Sequence, residues 1–296
     1  MRTRLPIVIA LLALLAAFTY WAYDASQLYV LRAGRAGMNT YNLLFDTAVV
    51  ALPLAALLGI LLGTLNYSKV SDRIIDGKVE RHDEFMFIQH WSNALGIVLL
   101  IITGFILGTL FIPRTIQGAE QIGFAMNMHF VGILFFFFGA SYYITKGYFT
   151  GEFKHMMPKK GDLKGMIGHY IHMLFKKGEA PKEEKFLYAE RVVFPMWMIG
   201  LSGILLTGIV KTLAHIWSLP EALMGVMTFL HGVFAIFMAF MLVAHVFAAA
   251  IIPPSWPLLR SMITGKVTEK YVKTHHEKWY EEIKQNEKQE KIREVQ

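Results

Sequence analysis

The chain has 296 residues, of which 55% are hydrophobic and only 17% charged, with a mean hydropathy of +0.43; these proportions exclude an ordinary soluble domain and point to a polytopic membrane protein. It contains no cysteine, which excludes disulfides, thioether-linked cofactors and thiolate-ligated iron–sulfur clusters within the chain. The net charge of +7 suggests nucleic acid only until the basic residues are mapped, when they fall on one side of a membrane.

A bilayer core is crossed by about 20 apolar residues. Six stretches qualify in chain order: about 5–23, 43–66, 92–112, 129–147, 192–212 and 229–253. None has a charge near its middle, and Asp46 lies within a turn of the start of the second stretch, where the interface solvates it. Arg2 and Arg4 followed by Leu5 to Tyr20 have the make-up of a signal peptide, but Ala22-Tyr23-Asp24-Ala25 is a poor small-residue cleavage site, so the first stretch is expected to stay as a helix. Lys and Arg divide between alternate connecting segments as 25 against 4. The positive-inside rule then places both termini, the segment 67–91 and the loop 148–191 in the cytoplasm.

Within that loop Leu163, Met166, Ile167, Tyr170, Ile171 and Leu174 recur at helical spacing, bracketed by Lys159, Lys160, Lys176 and Lys177. This predicts an amphipathic helix on the inner membrane face. The stretch from Lys266 to Gln296 reads as a charged, solvated helical tail, and no internal repeat is evident. The expected organisation is an N-terminal transmembrane pair over 1–66, a four-helix bundle over 67–253 and a cytoplasmic tail over 254–296. The fold class is all-α and integral to the membrane, with about six spans.

Eleven histidines are present. His82, His155, His169, His172, His215, His275 and His276 fall in loops, in the tail or at the surface. His90, His129, His231 and His245 fall at or within membrane helices, where ionisable groups are costly and mark function. A lone histidine there is as readily a hydrogen-bonded interfacial residue; four in one geometry are not. His231 and His245 share the last helix, fourteen residues apart. That spacing is about 21 Å along the axis and leaves both on nearly the same face. His90 begins the third helix on the cytoplasmic side and His129 the fourth on the outer side. Depth pairs His90 with His245 and His129 with His231, each pair able to give bis-imidazole ligation to a haem iron. Gly104, Gly108, Gly132, Gly139, Gly200, Gly203 and Gly208 would let a flat macrocycle approach, or equally let helices pack closely. The aromatic run Phe135 to Phe138 suits a porphyrin, the helix core or lipid. Arg81 and the lysines near the inner face could pair with haem propionates.

The chain resembles the cytochrome b (gamma) subunit of membrane-bound formate dehydrogenases, in a family that includes the nickel–iron hydrogenase cytochrome b. The resemblance covers about 72–280 and rests on Arg73, Gly77, Arg81, His90-Trp91, Thr103-Gly104, His129, Leu230-His231-Gly232 and His245. It continues through Met262-Ile263-Thr264-Gly265-Lys266-Val267 and His275-His276-Glu277-Lys278-Trp279. It implies two haem b groups, with His90 and His245 at the inner one and His129 and His231 at the outer. It implies electrons arriving from an iron–sulfur subunit beside a catalytic metal-containing subunit on the outer side, and leaving to menaquinone or ubiquinone near the inner haem, as in anaerobic respiration. The chain itself would be a non-catalytic electron-transfer subunit. One departure concerns the quinone. Where the family reads approximately Lys-Tyr-Asn-x-x-Gln, this chain reads Lys185-Phe186-Leu187-Tyr188-Ala189-Glu190. Leu187 cannot hydrogen-bond a quinone carbonyl, so Tyr188 or Glu190 would have to. Alternatives are a hydrogenase or sulfur-compound reductase anchor, or a non-haem transporter or assembly anchor; the absence of mid-membrane Asp or Glu argues against a transporter.

Overall fold

The computed structural model describes residues 5–36, 43–66, 72–175, 177 and 181–295. Arg2, Arg4 and Lys176, cited above among the cationic positions, lie outside these. Among the described residues five helices are long and apolar enough to cross a membrane: Leu5–Gln27, Phe85–Leu107, Ala119–Thr150, Tyr188–Leu213 and Glu221–Ile251. They belong to α1 (Leu5–Ala36), α4 (Glu84–Leu107), α5 (Ala119–Thr150), α8 (Tyr188–Leu213) and α9 (Glu221–Val246) with the π-helical turn Phe247–Ile251 that follows it. Pro253 and Pro254 have no N–H to continue the ladder, and the span ends there. The apolar stretch at 43–66 is divided into α2 (Leu44–Thr47) and α3 (Ala51–Leu65). The 15 residues of α3 make about 22 Å of helix, short of a roughly 30 Å hydrocarbon core. The protein is an all-α, multi-pass membrane protein.

Two compact units divide the chain, the first gathering 1–67, 88–146 and 200–242, the second 68–87, 147–199 and 243–296. In the first, α5 is the central element. Its Asn127 is fully buried and joins three elements, accepting from Leu44 N (2.9 Å) and donating to Ala22 O (3.3 Å) and Ser26 Oγ (3.2 Å). A buried amide left unsatisfied would be costly in an apolar interior; here the same amide fixes the register of α1 and α2 on α5. Around it Phe45 meets Phe130 edge-on at 5.2 Å, and Phe18 meets Phe135 at 5.8 Å. The four-phenylalanine run therefore splits, Phe135 facing α1 while Phe136 and Phe137 turn to a cavity described below.

The second unit carries a feature the helical reading of 254–296 does not contain, a three-stranded antiparallel sheet. Strands β1 (Ile74–Ile75), β2 (Lys78–Glu80) and β3 (Lys266–Thr268) pair in that order, with Val79 opposite Ile74 on one side and Val267 on the other. Asp76 and Gly77 both have positive φ (51° and 68°), the backbone a two-residue hairpin turn demands. Gly265, left-handed at φ 78°, ends α10 (Trp256–Thr264), and its carbonyl accepts from Arg81 N and His82 N at 2.8 and 3.0 Å. Thr268 Oγ1 then caps α11 (Glu269–His275) by accepting from Tyr271 N. Val79, Val267, Val272, Trp279 and Ile283 form one buried cluster. The tail is thus folded rather than solvated: α12 (Glu277–Val295) buries Trp279 and Ile283, and His276 is fully enclosed.

In the same unit the amphipathic helix expected in the loop is α7 (Asp162–Phe175), preceded by the short α6 (Glu152–Met156). Asp162 takes a two-pronged ion pair from Arg191 in the first turn of α8, at 2.8 and 2.7 Å. Both side chains are buried, at 4% and 1% exposure. Arg191 also donates to Phe186 O at 3.0 Å. The guanidinium beside Asp162 holds that carboxyl below the usual carboxylate range.

Candidate cofactor site

Glycines bring α4 and α5 together in the first unit. A Cβ on Gly96 would stand 2.7 Å from Phe136 N and 2.9 Å from Gly132 O, so only glycine permits this backbone approach. Two turns further along α4, Thr103 Oγ1 lies 2.8 Å from His129 Nδ1 on α5. The threonine has one hydroxyl proton, and Leu99 O receives it at 2.6 Å. The oxygen must therefore accept from the imidazole, so His129 Nδ1–H donates to Thr103 and Nε2 keeps its lone pair. Gly104, the next residue, has no side chain to stand in front of the ring: its Cβ would be 3.8 Å from His129 Cε1.

The same arrangement recurs between α8 and α9. Thr207 Oγ1 gives its proton to Gly203 O (2.8 Å) and lies 3.0 Å from His231 Nδ1, which donates to it. Gly208 follows, where a Cβ would come within 3.4 Å of His231 Cε1. Two Thr-Gly pairs on two helices thus hold two histidines on their neighbours in one tautomer, with Nε2 of each available as a ligand. Metal-bound imidazoles characteristically have their second nitrogen fixed in this way.

His129 and His231 both line one cavity of about 830 Å³, as do Gly104, Gly208, Phe136 and Phe137. The volume lies within the roughly 300–1,000 Å³ of cofactor and small-molecule sites. Its walls are mainly aliphatic and aromatic. Thr109, Arg114, Lys211 and His215 add polar groups. A mostly apolar chamber offering two neutral imidazole donors and two bare glycine surfaces fits a haem with bis-histidine ligation.

Residues 81–265 match the prokaryotic cytochrome b561 family. The chain belongs to that family. It is similar to the formate dehydrogenase cytochrome b556 subunit of Haemophilus influenzae, 25% identical over 215 residues that cover 70% of this chain and 84% of that protein. It is similar also to two Escherichia coli K12 proteins. The formate dehydrogenase cytochrome b556(fdo) subunit is 26% identical over 205 residues, covering 67% of this chain and 89% of the relative. The nitrate-inducible cytochrome b556(Fdn) subunit is 23% identical over 205 residues, covering 67% and 88%. As a cytochrome b561 family member the chain is a haem b-binding membrane electron carrier.

The other histidines of this cytochrome b are distributed between the units. His90 lies in the first, on α4, with the Trp91 ring edge-on at 5.1 Å. His245 lies in the second, at the end of α9, with Trp197 edge-on at 6.0 Å and the π-helical turn immediately after. Of the seven membrane glycines, Gly104 and Gly208 face imidazoles and Gly108 forms a turn. Gly132, Gly139, Gly200 and Gly203 abut Leu100, Asn93, Met238 and Phe234, which is helix packing.

Tyr188 and Glu190 both have structural partners. Tyr188 OH donates to Lys182 O at 3.0 Å and accepts from Lys278 Nζ at 3.0 Å. Glu190 accepts from Leu187 N at 2.8 Å, as an N-terminal cap of α8, and pairs with Arg81 Nη2 at 3.4 Å. Arg81 is itself buried beside Glu190.

One feature of the site carried a signal that sequence reasoning missed. Thr207-Gly208 repeats the Thr103-Gly104 dipeptide, and each sits about 25 residues before the histidine it serves, at 24 and 26. His276 is buried with its Nδ1–H donated to Glu184 O at 2.6 Å. Burial beside Arg81 drives its pKa down to about 3, so it is neutral across the physiological range.

Proposed function

We propose that this chain is the electron-transfer subunit of a formate dehydrogenase-type complex. It receives electrons from an iron–sulfur subunit on the outer side and delivers them to menaquinone or ubiquinone near the cytoplasmic face. The observation that carries the reading is the pair His129 and His231, each clasped by a threonine and lining one cavity. Similarity to three formate dehydrogenase cytochrome b subunits directs it to that complex.

Bound haem supplies one-electron redox chemistry. The chain's residues do the rest. His129 and His231 bind the outer haem through Nε2, with Thr103 and Thr207 fixing ring orientation and raising imidazole basicity. His90 and His245 bind the inner haem, a pairing supported by their matched depth in the sequence. Tyr188 and Glu190 are the candidates for contact with quinone, close to the cytoplasm from which its protons are drawn. The N-terminal helices 1–66 flank a bundle over 67–253, and both termini lie in the cytoplasm of a prokaryotic inner membrane.

A dithionite-reduced minus oxidised spectrum of the purified protein, with haem counted as pyridine haemochrome, tests this. Two haem b per chain are expected, and one in His231→Ala. Absence of haem, or two haems retained in His231→Ala, refutes the ligand assignment; failure of a quinol analogue to reduce the haems refutes the quinone link.

A further inference from the structure

Positive charge is scarce on the side the charge count makes external. Only Arg32, Arg35, Arg114 and Lys211 fall there, against the strong preference for Lys and Arg inside. Two of the four, Arg114 and Lys211, line the cavity that His129 and His231 line. No Asp or Glu is among the lining residues.

Both cations are placed by the local backbone. Lys211 is four residues beyond Thr207 on α8 and so shares its face, one turn from the threonine that holds His231. Arg114 is placed by a tight turn after α4. Gly108 has φ 93°, and a Cβ there would stand 2.9 Å from Arg114 N. Thr109 and Ile112 exchange backbone hydrogen bonds at 2.9 and 2.7 Å, and Thr115 N donates to Ile106 O at 3.1 Å. The turn requires glycine at 108 and holds the Arg114 backbone against the end of α4. Arg114 Nε donates to Leu107 O at 3.3 Å, which leaves its Nη groups without a partner among the described residues. Lys211 Nζ also has none. Asp46, on α2, is paired to His215 at 2.6 Å.

Lys211 is half-buried against the apolar chamber with no counter-ion among the described residues, which is costly unless the occupant supplies an anion, and Arg114, exposed at its outer end, lines the same chamber. An occupant with two carboxylates or their equivalent meets both cations at once. We propose that Arg114 and Lys211 anchor the two propionate carboxylates of the haem held by His129 and His231, and so set that haem's orientation and raise its potential. The assignment rests on the bis-histidine reading above. The sign follows from charge: removing a cation leaves a propionate uncompensated, and the added negative charge favours ferric over ferrous iron.

The test is a redox titration of the purified complex carrying Arg114→Gln, Lys211→Gln or both, with haem counted in each. The outer haem is identified as the component lost in His231→Ala. Each single variant is expected to keep two haems and lower the outer potential. The double variant should shift the ferrous-to-ferric ratio about tenfold at fixed potential, about 59 mV for a one-electron couple, with the inner haem unmoved. Full haem content with the outer potential unchanged overturns the proposal while leaving the histidine ligation standing. A shift in only one single variant overturns the two-cation assignment. Haem-free wild type overturns both.

If a glutamine variant does not accumulate, infrared redox-difference spectra decide. Protein carrying haem labelled with ¹³C at the propionate carboxylates is compared as wild type, Arg114→Lys and Lys211→Arg. Carboxylate bands that move in each exchange support the pairing. Bands that stay put in both overturn it, and assign the cations to another anion such as a lipid phosphate.

Discussion

Thr207 Oγ1 stands 3.0 Å from His231 Nδ1 while its own proton goes to Gly203 O at 2.8 Å. This fixes the direction of the imidazole hydrogen bond and hence the tautomer. Thr207→Val is isosteric and removes the acceptor; losing the hydrogen bond that orients a metal-bound imidazole weakens metal affinity about 10–100-fold. The expected outcome is partial loss of one haem, with the remaining outer population shifted to higher potential as the imidazole becomes a poorer donor. Thr207→Ser should retain both properties. Haemochrome counts and redox titration of the two variants check it, and Thr103→Val should behave alike through His129.

Gly208 and Gly104 test whether the chamber itself is the haem site. A Cβ at Gly208 would already lie 3.4 Å from the His231 ring, so Gly208→Leu projects a branched side chain over it. The helix is not penalised, since leucine is a better helix former than glycine. The variant is therefore expected to reach the membrane folded and to carry one haem fewer than wild type, measured as haem per protein after purification.

How far the site could be read beforehand depended on the reach of each signal. His129 and His231 stood out because an ionisable group in an apolar run is costly, a property of local sequence. The Thr-Gly dipeptides stood out less. Threonine in a membrane helix ordinarily back-bonds to its own carbonyls, and only the fold shows the second partner. The sheet was not legible: strands of two and three residues are too short to show a period of two. His276 was misread as solvated because Thr274, His275, Glu277 and Lys278 flank it. Its burial comes from partners the local sequence does not reveal: Glu184 O accepts from its Nδ1, Arg81 lies close enough to depress its pKa, and the Trp279 ring meets it edge-on at 5.8 Å.

The buried ion pair of Arg191 and Asp162 ties α7 to α8. Removing one partner of a buried pair costs about 3–5 kcal/mol, because the other charge is left buried and alone. Asp162→Ala is expected to free α7, seen as new proteolytic cleavage within 152–175 in membrane vesicles, with the haem spectrum retained. In wild type the depressed carboxyl pKa makes this tie fully present at neutral pH, down to the ordinary carboxylate value. It is lost as pH falls through the lower folded-state value.

His276 gives a second pH dependence at a different point on the scale. Its folded pKa is about 3 against an ordinary 6.5, because burial and Arg81 disfavour the imidazolium. Between those values the unfolded chain binds one proton more than the folded one, so stability rises with pH there. The contribution is complete above about pH 6.5 and declines by about 1.4 kcal/mol per unit as pH drops below it. Amide hydrogen exchange in residues 266–283 should therefore lose protection between pH 7 and pH 5. His276→Gln keeps a donor for Glu184 O but carries no titrating proton. Its protection, lower at pH 7, should be nearly flat over the same range; an equal decline in both proteins would assign the acid sensitivity to another group.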